Sequence, residues 1–305
     1  MRILIVASYN KGRFAPFITE QAEALSKNGA EIDYFGVVGK GLAGYLKNIR
    51  SLKQKIEDFQ PDIVHAHYGL SGLLANLQRK VPVVTTYHGS DINDSKVLRL
   101  SKIAMRLSAW NIFVSKKNVE MSGLTGKYSL LPCGIDTDNF AVKEMAEARK
   151  ELGWKMDGQY VLFAGAFDNA VKNAALAQAA VALLPGVDLV EMKGFSRQQV
   201  ASLFYAADVF LMTSKSEGSP QVVKEALYCG CPIVSVDVGD VAEVTEGILN
   251  CYIAKPVAED LSQKLRIVLA SPLRTQGRTV ILAKGMDNKT VATKLLDIYN
   301  LICKH

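Results

Sequence analysis

Short apolar runs recur along this chain, and segments with an apolar period near 3.6 residues separate them. Arg2–Ala7 is almost wholly aliphatic, as a strand covered on both faces must be. Pro16–Asn28 follows with a helical stripe of Phe17, Ala22 and Leu25, and Gly29 supplies a stop. The alternation continues through strands at Glu31–Val37, Asp62–His67, Val81–Tyr87 and Asn111–Ser115. Helices at Leu42–Ile56, Gly72–Arg79 and Val97–Leu107 lie between them. After residue 150 the pattern restarts, with strands at Tyr160–Ala164, Asp188–Met192, Asp208–Thr213 and Pro232–Val236. Helices are predicted at Ala174–Leu184, Arg197–Ala206, Gln221–Cys229, Leu261–Ala270 and Thr290–Cys303. Such alternation builds βαβ units on a parallel sheet. The expectation is two doubly wound α/β domains, over 1–150 and 151–285, with 286–305 a helix crossing back to the first. The join is placed in the charged stretch Glu144–Asp157.

Composition narrows the class. The 305 residues are 49% apolar with a net charge of +6, which excludes a disordered chain. No window approaches the ~18 apolar residues of a membrane-spanning helix. The N-terminus runs straight into a strand, so no secretory leader is expected. Five scattered cysteines form no CxxC pair and read as reduced thiols of a cytoplasmic protein. Residues 1–150 hold 21 Lys+Arg against 14 Asp+Glu, whereas 151–305 hold 15 against 16. So basic an N-terminal half suggests an anionic partner. Leu42, Tyr45, Leu46, Ile49, Leu52 and Ile56 share one helical face, with Lys47, Arg50 and Lys53 off it. Lys96, Arg99, Lys102 and Arg106 form a second basic stripe. Both are compatible with a solvated outer face or with a helix resting on an anionic membrane. The basic residues are not interleaved with aromatics, and no nucleic-acid partner is expected.

Ligands of open α/β sheets bind beyond the carboxyl ends of the strands, so a site is expected among the residues there. Ser214–Val236 is the most informative stretch. Glu217 and Gly218 precede Ser219 as a predicted N-cap and Pro220 as a first helical residue. The helix N-terminus offers free N–H groups to a phosphate. Glu217 and Glu225 are carboxylates suited to a vicinal diol. The same residues also suit an ordinary capped helix with two solvated glutamates.

The run E-G-S-P-x4-E-A-x3-G-x-P resembles the signature of family 4 retaining glycosyltransferases of the GT-B fold. Leu131–Phe140, Asp62–His67, Thr85–Asp91, Gly165–Lys172 and Gly239–Gly247 resemble further segments of that family, in the same order. The resemblance implies two Rossmann-like domains facing a cleft and a nucleotide-diphosphate sugar as donor. It implies transfer with retention to an acceptor hydroxyl, with no metal or other cofactor, in polysaccharide, cell-envelope or glycolipid synthesis. By the same resemblance Glu217 meets the transferred sugar, Gly218, Ser219 and Pro220 lie near sugar or diphosphate, and Glu225 takes the ribose hydroxyls. Lys172 neutralises the leaving diphosphate beside Gly165. Gly12 approaches the diphosphate, Phe195 lies near the base, and Arg13, His88 and Asp91 lie on the acceptor side. His88 is a candidate for positioning or proton handling. His65 and His67 share one strand face without a third ligand, so core packing is expected of them. The sequence departs from the family at Ala166, where an arginine commonly follows the glycine. Lys215, or Lys11 and Arg13, are candidates to replace that charge. Two alternatives stay open: a non-catalytic sugar-nucleotide-binding relative, and a GT-B-fold sugar-nucleotide epimerase. The protein is expected in the cytoplasm, in peripheral contact with the inner membrane face through 40–56 and 96–106.

Overall fold

The structure is a computed structural model that describes residues 1–271 and 273–304. It divides into two compact units, residues 1–134 with 288–305 and residues 135–287.

Unit 1 begins β1 (Arg2–Ser8), α1 (Pro16–Lys27), β2 (Glu31–Val37), α2 (Gly41–Leu46), α3 (Ile49–Phe59) and β3 (Ile63–His67). It continues α4 (Gly69–Asn76), β4 (Val83–Tyr87), α5 (Ser90–Asn93), α6 (Ser95–Leu107), β5 (Trp110–Phe113), α7 (Lys116–Ser122) and β6 (Tyr128–Leu130). Its sheet is parallel, in the order β2-β1-β3-β4-β5-β6. Successive residues of β1 face opposite sides, which explains its unbroken apolar run. Ile3, Ile5 and Ala7 pack with Ile18, Ala22 and Leu25 of α1 and with Val291, Ala292, Leu295 and Tyr299 of the C-terminal helix. Leu4 and Val6 pack on the other face with Tyr45, Leu52, Ile56 and Leu74.

Unit 2 runs α8 (Met145–Leu152), β7 (Gln159–Phe163), α9 (Ala174–Ala182), β8 (Val187–Glu191), α10 (Arg197–Ala206) and β9 (Val209–Met212). Then come α11 (Gln221–Tyr228), β10 (Ile233–Val236), α12 (Val241–Thr245), β11 (Cys251–Ala254), α13 (Ala258–Ala270) and α14 (Gly277–Ala283). Its sheet is also parallel, ordered β11-β10-β9-β7-β8. The C-terminal helix, α15 (Asn288–Cys303), belongs to unit 1.

Three sequence expectations change. The predicted join at Glu144–Asp157 lies inside unit 2, whose first residue is Ile135. There α8 buries Ala148, and the Arg149 guanidinium holds Asp208 with two bonds of 3.0 Å. Asp208 also accepts from the backbone N–H of Tyr160, so the helix is fastened to β7. The single helix expected over Leu42–Ile56 is two, because the Asn48 side-chain amide donates to the carbonyls of Val38, Gly44 and Tyr45. Finally, β6 and β11 are edge strands that the alternation did not reveal. Each is short, and residues 128–130 and 251–253 are all partly exposed.

Candidate functional site

The strand orders locate one switch point in each unit. In unit 2 the chain passes from β7 to β8 on one side and then to β9 on the other. The loops after β7 and β9 therefore part and leave a crevice between them. Lys172 ends the first loop and Glu217 lies in the second. The Lys172 ammonium donates to Glu217 Oε1 at 2.8 Å, with both side chains about four-fifths buried (19% and 18% exposed).

Both loops are braced. Gly165 has φ +154°, and a Cβ there would stand 3.0 Å from Lys172 Cγ, so the lysine stem runs where a side chain would be. The Phe167 N–H donates to Glu191 at 2.7 Å, and Lys193 donates to Asp168 at 2.6 Å. Thr213 Oγ1 donates to the carbonyls of Lys172 and Asn173. The Lys215 N–H donates to Val171 O.

The turn into α11 corrects the sequence reading. Pro220, not Ser219, stands at the N-cap and makes no side-chain cap bond. Ser219 Oγ instead donates to Asp240 and accepts from the Lys224 ammonium. Lys224 is fully buried and lies 3.7 Å from Asp240 Oδ2. A Cβ on Gly239 would approach the Gly218 carbonyl to 2.8 Å, so the loop after β10 presses on the Gly218 turn. Sequence reasoning missed Lys224 and Asp240, because a lysine at a helical position reads as solvated. The signal was its place among Val223, Ala226 and Leu227. Gly218 and Glu225 are buried at the same end of the sheet. Phe195 follows the turn at Gly194 and packs, partly buried, against the core of unit 2.

In unit 1 the switch lies between β1 and β3. A cavity of about 370 Å³ opens there, lined by Asn10, Lys11, Arg13, Phe14 and Tyr68 among others. Gly12 (φ +67°) makes the turn beside it, its N–H donating to Tyr9 O. Asp91 is buried, not presented to solvent. One of its oxygens accepts from the N–H groups of His88 and Gly89 and the other from Gly69, each at 3.0 Å. Burial raises its pKa to about 6 despite those bonds.

His88 is half-buried. Its Nε2 lies 3.0 Å from His67 Nδ1, and its Nδ1 3.6 Å from Cys133 Sγ. The rings of His65, His67 and His88 stack in a column. The Tyr299 hydroxyl of α15 lies 2.6 Å from His65 Nδ1, and Thr86 Oγ1 lies 2.8 Å from His65 Nε2. His67 Nε2 is buried with no partner among the described residues. Burial lowers the pKa of His65 and of His88 to about 3, and holds His67 well below its ordinary value. All three are neutral at pH 7. Thus His65 and His67 are core groups, as expected, but they also connect α15 to the histidine at the strand end.

Asp136-Thr137-Asp138 has the Asp-x-Asp spacing of a metal-binding motif. Asp136 caps a 3₁₀ turn, accepting from Asp138 N and Asn139 Nδ2. Among the described residues, no group of three or more His, Cys, Asp or Glu is placed to hold a metal. Likewise no helix is long and apolar enough to cross a membrane.

Two family models match in tandem, Glycosyltransferase Family 4 over residues 15–139 and Glycosyl transferases group 1 over 139–271. The chain belongs to the family 4 glycosyltransferases. It is similar to the putative teichuronic acid biosynthesis glycosyltransferase TuaC of Bacillus subtilis, 30% identical over 64% of this chain. The chain spans 58% of that relative's length. It is 26% identical to a D-inositol 3-phosphate glycosyltransferase of Actinosynnema mirum, over 85% of this chain and 76% of that protein. Sucrose-phosphate synthase from Thermosynechococcus elongatus shares its fold at TM-score 0.88, 18% identity and 99% coverage of both chains. Anabaena HepE in complex with UDP does so at TM-score 0.78 and 15% identity, over 98% of this chain and 100% of that one. The two parallel-sheet α/β units are those of the GT-B fold.

Proposed function

We propose that this protein is a retaining glycosyltransferase that moves a sugar from a nucleotide-diphosphate sugar to an acceptor hydroxyl. The observation that carries the reading is the Lys172–Glu217 pair at the switch point of unit 2. As the bond from the anomeric carbon to phosphate breaks, negative charge grows on the diphosphate. A fixed cation and N–H dipoles stabilise that charge. Lys172 exchanges Glu217 for the diphosphate when the donor enters. Glu217 is then free to accept from hydroxyls of the transferred sugar. The turn at Gly218 and Ser219, before Pro220, brings backbone against the sugar or diphosphate, with Gly165 opposite. Glu225 accepts from the ribose, and the chain around Phe195 lies by the base. Gly12 and Arg13 serve the diphosphate and acceptor, and His88, held neutral, positions the acceptor. The reaction requires no metal, since Lys172 and the N–H groups meet the developing charge.

Several likenesses support this reading. TuaC is named for teichuronic acid biosynthesis, and HepE was also solved with UDP-glucose. Polysaccharide, cell-envelope or glycolipid synthesis in the cytoplasm is the corresponding setting. Exposed Val38, Leu42 and Leu46 beside Lys40 and Lys47, and the exposed stripe Lys96, Arg99, Lys102 and Arg106, suit a peripheral contact with an anionic inner membrane face. Vesicles with anionic lipid should sediment the protein, and neutral ones should not; equal binding to both contradicts the contact.

The test of function is incubation with UDP-, GDP- and ADP-sugars and an acceptor panel, with EDTA present, reading the anomeric configuration by NMR. Transfer with retention is expected, whereas inversion or abolition by EDTA overturns the mechanism. Ala166, where the family carries arginine, favours one second reading: a binding subunit without turnover. Tight nucleotide binding without transfer to any acceptor identifies that case.

A further inference from the structure

His67 ends β3 and is fully buried, and His88 follows β4, the neighbouring strand. Their rings lie nearly parallel, 22° apart, with His67 Nδ1 3.0 Å from His88 Nε2. His65 also stacks against His67, and the rings of Phe17 and Tyr68 each lie 4.7 Å from that of His88, so the pair is held in place by its neighbours. Burial keeps both imidazoles neutral at pH 7. Each ring therefore has one N–H and one bare nitrogen.

Two proton arrangements fit the 3.0 Å contact. If His88 Nε2–H donates, His67 must carry its own proton on Nε2, which is buried and has no partner among the described residues. If His67 Nδ1–H donates, its Nε2 is left as a bare lone pair. A buried N–H without an acceptor is rarer in folded chains than a buried acceptor without a donor, which favours the second arrangement. His88 then carries its proton on Nδ1, 3.6 Å from Cys133 Sγ, a weak acceptor.

We propose that His67 is a positioning residue for His88: it donates its Nδ1–H to His88 Nε2 and so holds that ring in the Nδ1–H tautomer. The lone pair on His88 Nε2 is then occupied, and Nδ1, bearing the proton, has no basic lone pair. His88 therefore takes no proton from an acceptor hydroxyl. It serves the acceptor by its fixed orientation and by an N–H that the long contact to sulfur engages only weakly. The kinetic consequence rests on the glycosyl transfer proposed above, whereas the tautomer belongs to the free protein.

Nitrogen NMR of wild-type protein with isotope-labelled histidine, at pH 7, reads the tautomers directly. Protonated and bare ring nitrogens resonate far apart, and the chain has four histidines to assign. Protons are expected on Nδ1 of both His67 and His88; a proton on Nε2 of either overturns the proposal. Cys133→Ala should leave both tautomers unchanged, and a move to Nε2–H at His88 would show that the thiol sets the tautomer instead. In transfer assays His67→Leu should raise the acceptor KM roughly tenfold, the scale of one lost hydrogen bond, with nucleotide-sugar affinity unchanged. His67→Asn, whose amide N–H stands near the Nδ1 position, should recover most of that loss. Wild-type kinetics in the leucine variant overturn the positioning role, as does a folded asparagine variant that is equally impaired. A wild-type protein that transfers no sugar overturns the proposed function instead, and the nitrogen spectrum still decides the tautomer.

Discussion

A methyl group at Gly165 would meet the Lys172 stem at 3.0 Å, in a backbone conformation that side chains rarely adopt. Gly165→Ala should therefore displace the ammonium from Glu217. Transfer should fall by at least ~10-fold for a stability cost of about 1–3 kcal/mol. Steady-state rates beside urea unfolding check this; unchanged turnover would mean that the stem's path is unimportant. The histidine column predicts acid lability. His65, His67 and His88 titrate in the folded state below their ordinary value of 6.5. The unfolded chain thus binds more protons as pH falls through ~6.5. Their stabilising contribution is complete above that pH and is lost as pH falls towards 3. Asp91 acts oppositely: its pKa is raised to about 6, so between about 4 and 6 the folded state binds the extra proton and stability falls as pH rises. Three histidines outweigh one carboxyl, so stability should drop between pH 6.5 and 4.5 by more than ~1.4 kcal/mol per unit at the steepest point. Urea midpoints across that range measure it. A flat profile would show that the column is solvated.

At the scale of elements, α11 is anchored from below by Lys224, which reaches Ser219 and Asp240. Lys224→Met should leave Asp240 buried without its cation and cost about 3–5 kcal/mol. Adding Asp240→Asn should recover part of that loss. A double-mutant cycle by denaturant unfolding gives the coupling, and simple additivity would contradict it. The element level was the most legible in the sequence. The strands buried on both faces carry continuous apolar runs, and the stretch from Glu217 to Glu225 carried the resemblance to the family. What escaped has physical reasons. β6 and β11 are exposed edges without a strong apolar signal. Asn48 breaks a helix through side-chain bonds that periodicity does not register. Lys224 and Asp240 find one another across the fold, and Asp91 is buried by contacts with Gly69 that are remote in sequence.

At the scale of the molecule, each unit has its own parallel sheet and switch point, yet the last helix completes the first unit. Val291, Ala292, Leu295 and Tyr299 are at most 1% exposed within the core beside α1. Deleting residues 288–305 should unfold unit 1 and leave the sheet of unit 2 protected. Hydrogen exchange read strand by strand checks this; retained protection in β1 and β3 would contradict it. The central claim concerns the crevice between the loops after β7 and β9. Calorimetric titration of the intact protein and of Lys172→Ala with UDP-glucose, GDP-mannose and ADP-glucose tests it most directly. One nucleotide sugar should bind the wild-type protein, and the variant should lose roughly 10-fold or more in affinity. Binding of none of them, or binding that is identical in the variant, would contradict the assignment of this crevice as the donor site.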